Sequence, residues 1–276
     1  EEANSSCILD VCSQQKIKAV CWTFVHSRKS KLYVGRFVHT NTKFGGKHMK
    51  ISPTLTEVKE KAKTGKYDIL PVSCEILSDF ITPIEAMRIL QNVSTHCYLL
   101  ESAQANEAWG RYTFLGYDPK LEINCIDGHM KLGKLSVETE NPSEYIRQIL
   151  SEYKSPKFDY LPSFTGGLVG YFSYDYLGYK EKSIRGKARD TEDFKDVDLM
   201  LFDKVIAFDN LCQKIILIAN MSLDAPETGY NKAIVELKQL RELLMHGEKK
   251  QNMGGKLLGD VTPLFDKEQY CEMVEK

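Results

Sequence analysis

The chain has 276 residues, 42% of them hydrophobic and 27% charged, an ordinary globular composition with enough apolar side chains for one or two buried cores. A formal net charge of −1 excludes any general attraction to nucleic acid or an anionic membrane, and the longest apolar runs, such as Ile215-Ile-Leu-Ile-Ala219, fall far short of the roughly 20 residues of a membrane helix. Eight cysteines, at 7, 12, 21, 74, 97, 125, 212 and 271, include no Cys-x-x-Cys pair and follow no secretory signal, which reads as a protein of the reducing cytoplasm.

Residues 1–48 look unlike the rest: they do not begin with Met and are basic through Lys16, Lys18, Arg28, Lys29, Lys31 and Arg36. Gly45-Gly46-Lys47-His48-Met49 back-translates to a purine-rich stretch, a short spacer and ATG, the pattern of a ribosome-binding site. The expectation is therefore that native translation starts at Met49, with 1–48 as upstream sequence read in frame. The competing reading is a β-hairpin from 19–25 and 31–34. Cys7, Cys12, Cys21 and His26 match no usual closed zinc spacing.

From Ser52 the signals become regular. Ser52 as cap and Pro53 at the first helical position predict a helix over 53–64, with Leu55, Val58 and Ala62 on one face and Gly65 at its end. Thr82-Pro83-Ile84-Glu85 is a capping box with proline inside it, and Ile84, Met87, Ile89 and Leu90 give the helix behind it an apolar side. Strands follow at 97–100, 111–115, 121–126 and 129–132, the last two joined by Asp127-Gly128, a pair suited to a type I′ turn. Asn141-Pro142-Ser143-Glu144 caps a helix expected to cover the sheet through Ile146 and Ile149. A strand at 167–174, a polar stretch at 178–196, and a hairpin of 199–208 with 213–220 around Asp209-Asn210 come next. A helix over 230–246 carries Ile234, Leu237, Leu240 and Leu244 on one stripe, and Asp266 to Gln269 caps a last helix.

Direct hairpins with irregularly interspersed helices predict an α+β fold, mostly antiparallel sheets packed as a sandwich with flanking helices. Gly166, Gly167 and Gly170 lack the Lys-Ser/Thr ending of a phosphate loop and are read as sites of close backbone packing. His96 beside Cys97 is read as structural, since adjacent strand side chains point to opposite faces.

Two runs carry more information: Tyr98-Leu-Leu-Glu101-Ser102 followed by Trp109-Gly-Arg111-Tyr112-Thr-Phe-Leu-Gly116, and Leu161-Pro-Ser-Phe-Thr-Gly-Gly-Leu-Val-Gly-Tyr-Phe-Ser-Tyr-Asp175. They resemble the Leu-Leu-Glu-Ser signature and the glycine-rich run of anthranilate synthase component I, over about residues 53–276. Composition marks 1–48 as an atypical extension and the lysine- and glycine-rich stretch at 247–262 as a linker; the resemblance implies an amino-terminal regulatory domain over 49–246 and, at 263–276, the start of a chorismate-binding catalytic domain. It also implies a tryptophan-binding pocket through which the end product inhibits the enzyme, with Glu101 and Ser102 in it.

An amino acid presents an ammonium and a carboxylate, so Glu101 suits the former and Ser102 a hydrogen bond, while nearby Arg111 offers charge to the carboxylate and Tyr112 an aromatic wall. Without the resemblance, Glu101 reads as solvated, Ser102 as the cap of a short helix through Ala108, and Arg111 and Tyr112 equally well as ordinary strand residues. In the resembled enzyme, chorismate plus ammonia, with Mg2+, gives anthranilate and pyruvate, ammonia coming from a glutamine amidotransferase subunit. Its catalytic and magnesium residues are expected beyond residue 276, so the chain alone is expected to be inactive. The alternatives are aminodeoxychorismate synthase component I, which shares the glycine-rich run, and a stand-alone amino-acid-binding regulatory domain.

Overall fold

The computed structural model describes residues 49–101, 110–181, 183, 194–251 and 254–276; the expected extension at 1–48 lies outside them. Their strands are β1 (Ile51–Ser52), β2 (Ile69–Leu77), β3 (Cys97–Leu100), β4 (Tyr112–Tyr117), β5 (Leu121–Ile126), β6 (His129–Leu132), β7 (Leu135–Glu138), β8 (Gly167–Phe172), β9 (Val197–Phe202), β10 (Lys204–Asp209) and β11 (Lys214–Ser222). Helices are α1 (Leu55–Lys63), α2 (Pro83–Val93), α3 (Pro142–Ser151), α4 (Pro226–His246) and α5 (Lys267–Glu275), and a 3-10 helix covers Tyr174–Tyr179.

Every strand pairing is antiparallel, and two sheets result: β1-β2-β11-β10-β4-β3 and β7-β6-β5-β9-β8. The fold is α+β, as the hairpin-rich sequence predicts. The chain passes from the first sheet to the second between β4 and β5, and returns between β9 and β10. The expected single strand over 199–208 is thus two strands in different sheets, broken at Asp203.

One face of the six-stranded sheet is buried under α1, α2 and α4, where Val58, Leu70, Leu90, Ile206, Leu217 and Leu237 form the main core. Period-2 alternation decides which strand residues join it: Leu70, Val72 and Cys74 of β2 face the helices, so Pro71 and Ser73 face away. The opposite face holds a smaller cluster, Val205, Ala207, Ile216 and Ile218, closed by Leu161 with Phe158 and Phe164. The five-stranded sheet packs Ile123, Cys125, Val197 and Leu199 against Ile146 of α3, so that helix does cover its sheet.

Helix starts explain themselves locally, with three differences from the expectation. Thr54, not Ser52, caps α1: its hydroxyl accepts from the Glu57 amide, and Glu57 returns a bond to the Thr54 amide. Ser52 instead pairs with Ser73 in β1, ahead of a cis Ser52-Pro53 bond. Thr82 and Asp266 make the expected capping boxes, whereas the Asn141 side chain makes no cap bond. On α2 it is Ala86, with Ile89 and Leu90, that is buried, while Ile84 is 58% exposed. Asp127 and Gly128 both have positive φ, 48° and 84°, as a type I′ turn requires. Gly170 on β8, at φ 155°, lies so close to the Asp198 carbonyl on β9 that a Cβ would collide with it.

Candidate functional site

Antiparallel pairing of β3 with β4, Leu100 opposite Phe114 and Tyr98 opposite Gly116, puts the end of β3 and the start of β4 at one end of the six-stranded sheet. Tyr98, Leu100, Tyr112 and Phe114 therefore share the face away from the helices. The Tyr98 ring lies across Gly116, where a Cβ would overlap it, so the glycine admits the ring; edge-to-face contacts to Phe202 and Phe164 hold it there. Leu100 stays 47% exposed, and Glu101 beyond it is exposed, with no ion pair or hydrogen bond among the described residues. Ser102 lies outside the described residues.

Arg111 and Tyr112 are brought together with a residue that the sequence did not single out for chemistry. The Arg111 guanidinium lies 4.9 Å over the Tyr112 ring and forks onto Asp209 at the end of β10, Nε donating to Oδ1 at 3.1 Å and Nη2 to Oδ2 at 2.7 Å. A weaker contact joins Nη2 to Cys212 Sγ at 3.6 Å. The Asp209 side chain is 0% exposed and that of Arg111 35%. Asp209 Oδ1 also accepts from the Leu211 and Cys212 amides at 3.2 and 3.0 Å, so the carboxylate organises the β10–β11 turn as well. Beside it, the Asn210 amide donates to buried Thr113 Oγ1 at 3.3 Å.

Burial alone would push the Asp209 carboxyl up, but the Arg111 guanidinium and the Cys212 amide hold it below the ordinary carboxylate range. The hydrogen bonds it donates to Asp209 raise the Arg111 guanidinium against its own desolvation. Desolvation, then the Asp209 charge, raises the Tyr112 phenol. All three therefore hold one protonation state across the neutral range: carboxylate, guanidinium and neutral phenol.

At the other end of the same sheet a cleft of about 460 Å³ is lined by Asp118, Lys120, Lys204, Asn220, Lys232 and Glu236, among others. Lys204 is paired with Asp118 at 2.7 Å and sits over the Tyr117 ring. The candidate residues at the Glu101 end take no part in it. His96 and Cys97 bond in different directions, to Glu122 and to the Ser94 carbonyl, which gives no nucleophile and base pair. Among the described residues no three His, Cys, Asp or Glu side chains are grouped to hold a metal ion, and no helix is long and apolar enough to cross a membrane.

The sequence profile of the chorismate binding enzymes matches residues 95–276. Anthranilate synthase component 1 of Acetivibrio thermocellus is 31% identical over 242 residues, covering 81% of this chain and 47% of that protein. The Pseudomonas aeruginosa protein of the same name is 36% identical over 186 residues, 64% of this chain and 37% of that one. A crystal structure of anthranilate synthase component I from Streptococcus pneumoniae is 25% identical, with a TM-score of 0.40 over 60% of this chain and 36% of that chain. The chain spans less than half the length of these relatives. Its two signature runs both lie inside the matched region, and the chain belongs to the chorismate binding enzyme family.

Proposed function

We propose that this chain is the amino-terminal portion of an anthranilate synthase component I and carries the site at which L-tryptophan inhibits that enzyme. The supporting observation is the sheet end itself: an uncommitted carboxylate at Glu101 just past the end of β3, and just before the start of β4 a guanidinium at Arg111 lying over the Tyr112 ring. An α-amino acid needs an anion for its ammonium and a planar cation for its carboxylate. The partly exposed rings of Tyr112 and Phe114 supply an aromatic surface for an indole. Ser102 completes the proposed set as a hydroxyl partner for the ligand's polar groups.

In the whole enzyme the reaction is chorismate plus ammonia to anthranilate and pyruvate, in the cytoplasm, with a glutamine amidotransferase subunit delivering ammonia. No step of that chemistry is placed on the described residues. The 276-residue chain alone should form no anthranilate.

Titration calorimetry with L-tryptophan tests the site. Saturable binding that Ser102→Ala and Glu101→Gln each weaken about tenfold, the scale of one lost hydrogen bond to a charged group, supports it. Binding indifferent to both substitutions overturns it.

A further inference from the structure

We propose that Asp209 is a positioning residue for ligand recognition: it grips one edge of the Arg111 guanidinium and so leaves the other edge, at Nη1, free beside Tyr112 for the carboxylate of a bound amino acid. This rests on the amino-acid site proposed above and adds to it a side chain that never touches the ligand.

Asp209 is fully buried, so no ligand reaches it directly. Its two oxygens take four donors: Nε and Nη2 of Arg111, and the amides of Leu211 and Cys212. The turn therefore fixes the carboxylate, and the carboxylate fixes the guanidinium plane. Arg111 has five N–H donors in a rigid fork, and with Nε and Nη2 engaged its Nη1 donors have no partner among the described residues. The Arg111 side chain is 35% exposed, and its guanidinium carbon lies 4.9 Å from the centre of the Tyr112 ring.

An arginine on a flexible stem loses rotamer freedom when it binds an anion, whereas here the ordering is complete before a ligand arrives. Asp209 also cancels the guanidinium charge at a distance. Selection of a carboxylate then depends on hydrogen-bond direction at the Nη1 edge and little on long-range attraction.

The test compares L-tryptophan with tryptamine, which lacks only the carboxylate, by calorimetry on the full 276-residue chain and its Asp209→Asn variant. The expected result is about tenfold weaker L-tryptophan binding and tryptamine binding unchanged within about twofold, as for one misplaced charge-assisted hydrogen bond. Equal losses for both ligands would show that Asp209 serves the fold alone and overturn the role, as would unchanged L-tryptophan affinity. No binding by the unsubstituted chain overturns the amino-acid site and this role together. If Asp209→Asn does not fold by circular dichroism, Asp209→Glu, which keeps the charge but displaces the fork, must show the same selective loss.

Discussion

At the residue scale the decisive group is Asp209, whose buried carboxylate joins the β10–β11 turn to Arg111, the residue before β4. Its pKa is depressed in the folded chain, so its stabilisation is fully present above the unfolded carboxyl value near 4 and is lost as pH falls through the lower folded value. Thermal melts should show Asp209→Asn less stable by about 2 kcal/mol at pH 7 and at pH 5, with the gap closing below about pH 4. A gap that widened on acidification would contradict the pairing. Nothing in the sequence marked this residue for chemistry. Asp209-Asn210 was legible as a turn, and Arg111 as a free cation, but their pairing joins positions 98 apart and depends on β4 lying against β10. Glu101 and Tyr112 entered the proposed site because they sit within a continuous signature, just past the end of one strand and at the start of the next.

At the scale of elements, burial under the helices separates side chains that look alike in the sequence. Leu237 of α4 is 0% exposed against the six-stranded sheet, whereas Val235, two positions earlier, is 51% exposed. Urea melts should give about 2–5 kcal/mol of destabilisation for Leu237→Ala and below about 0.5 kcal/mol for Val235→Ala. That α4 stripe was readable because 3.6-residue periodicity holds over several turns. The strand β2 was not among the predicted elements. It carries Pro71, and because β1 pairs only with Ser73 and Cys74, one flank of β2 has no strand partner at Pro71, where proline is tolerated. The run 199–208 was misread for a different reason: its apolar residues are continuous, and only the pairing partners reveal that Val197–Phe202 joins β5 and β8 while Lys204–Asp209 joins β4 and β11. Thr54 displaced Ser52 as cap because Ser52 is engaged with β2.

For the molecule as a whole, the informative contrast is between the buried sheets and the stretch after α4. Every residue from 254 to 276 is exposed, including Leu257, Leu258, Val261 and Leu264 at 73–95%, and the well-capped α5 buries none of its side chains. A capping box satisfies the amides at a helix start but supplies little without an apolar face to bury. Deleting 254–276 should therefore leave the melting temperature within about 2 °C, because no core contact is lost. The same deletion should lower binding of a hydrophobic dye, since it removes a run of accessible apolar side chains. A drop of more than about 4 °C, the equivalent of about 1–2 kcal/mol in a chain of this size, would mean that the segment packs against the sheets. Because α4 ends at His246 with Gly247 donating to the Leu243 carbonyl, and the Lys250 amide donates to the Arg88 carbonyl, the core's last backbone anchor precedes the cut and the shortened chain should unfold with the same cooperativity.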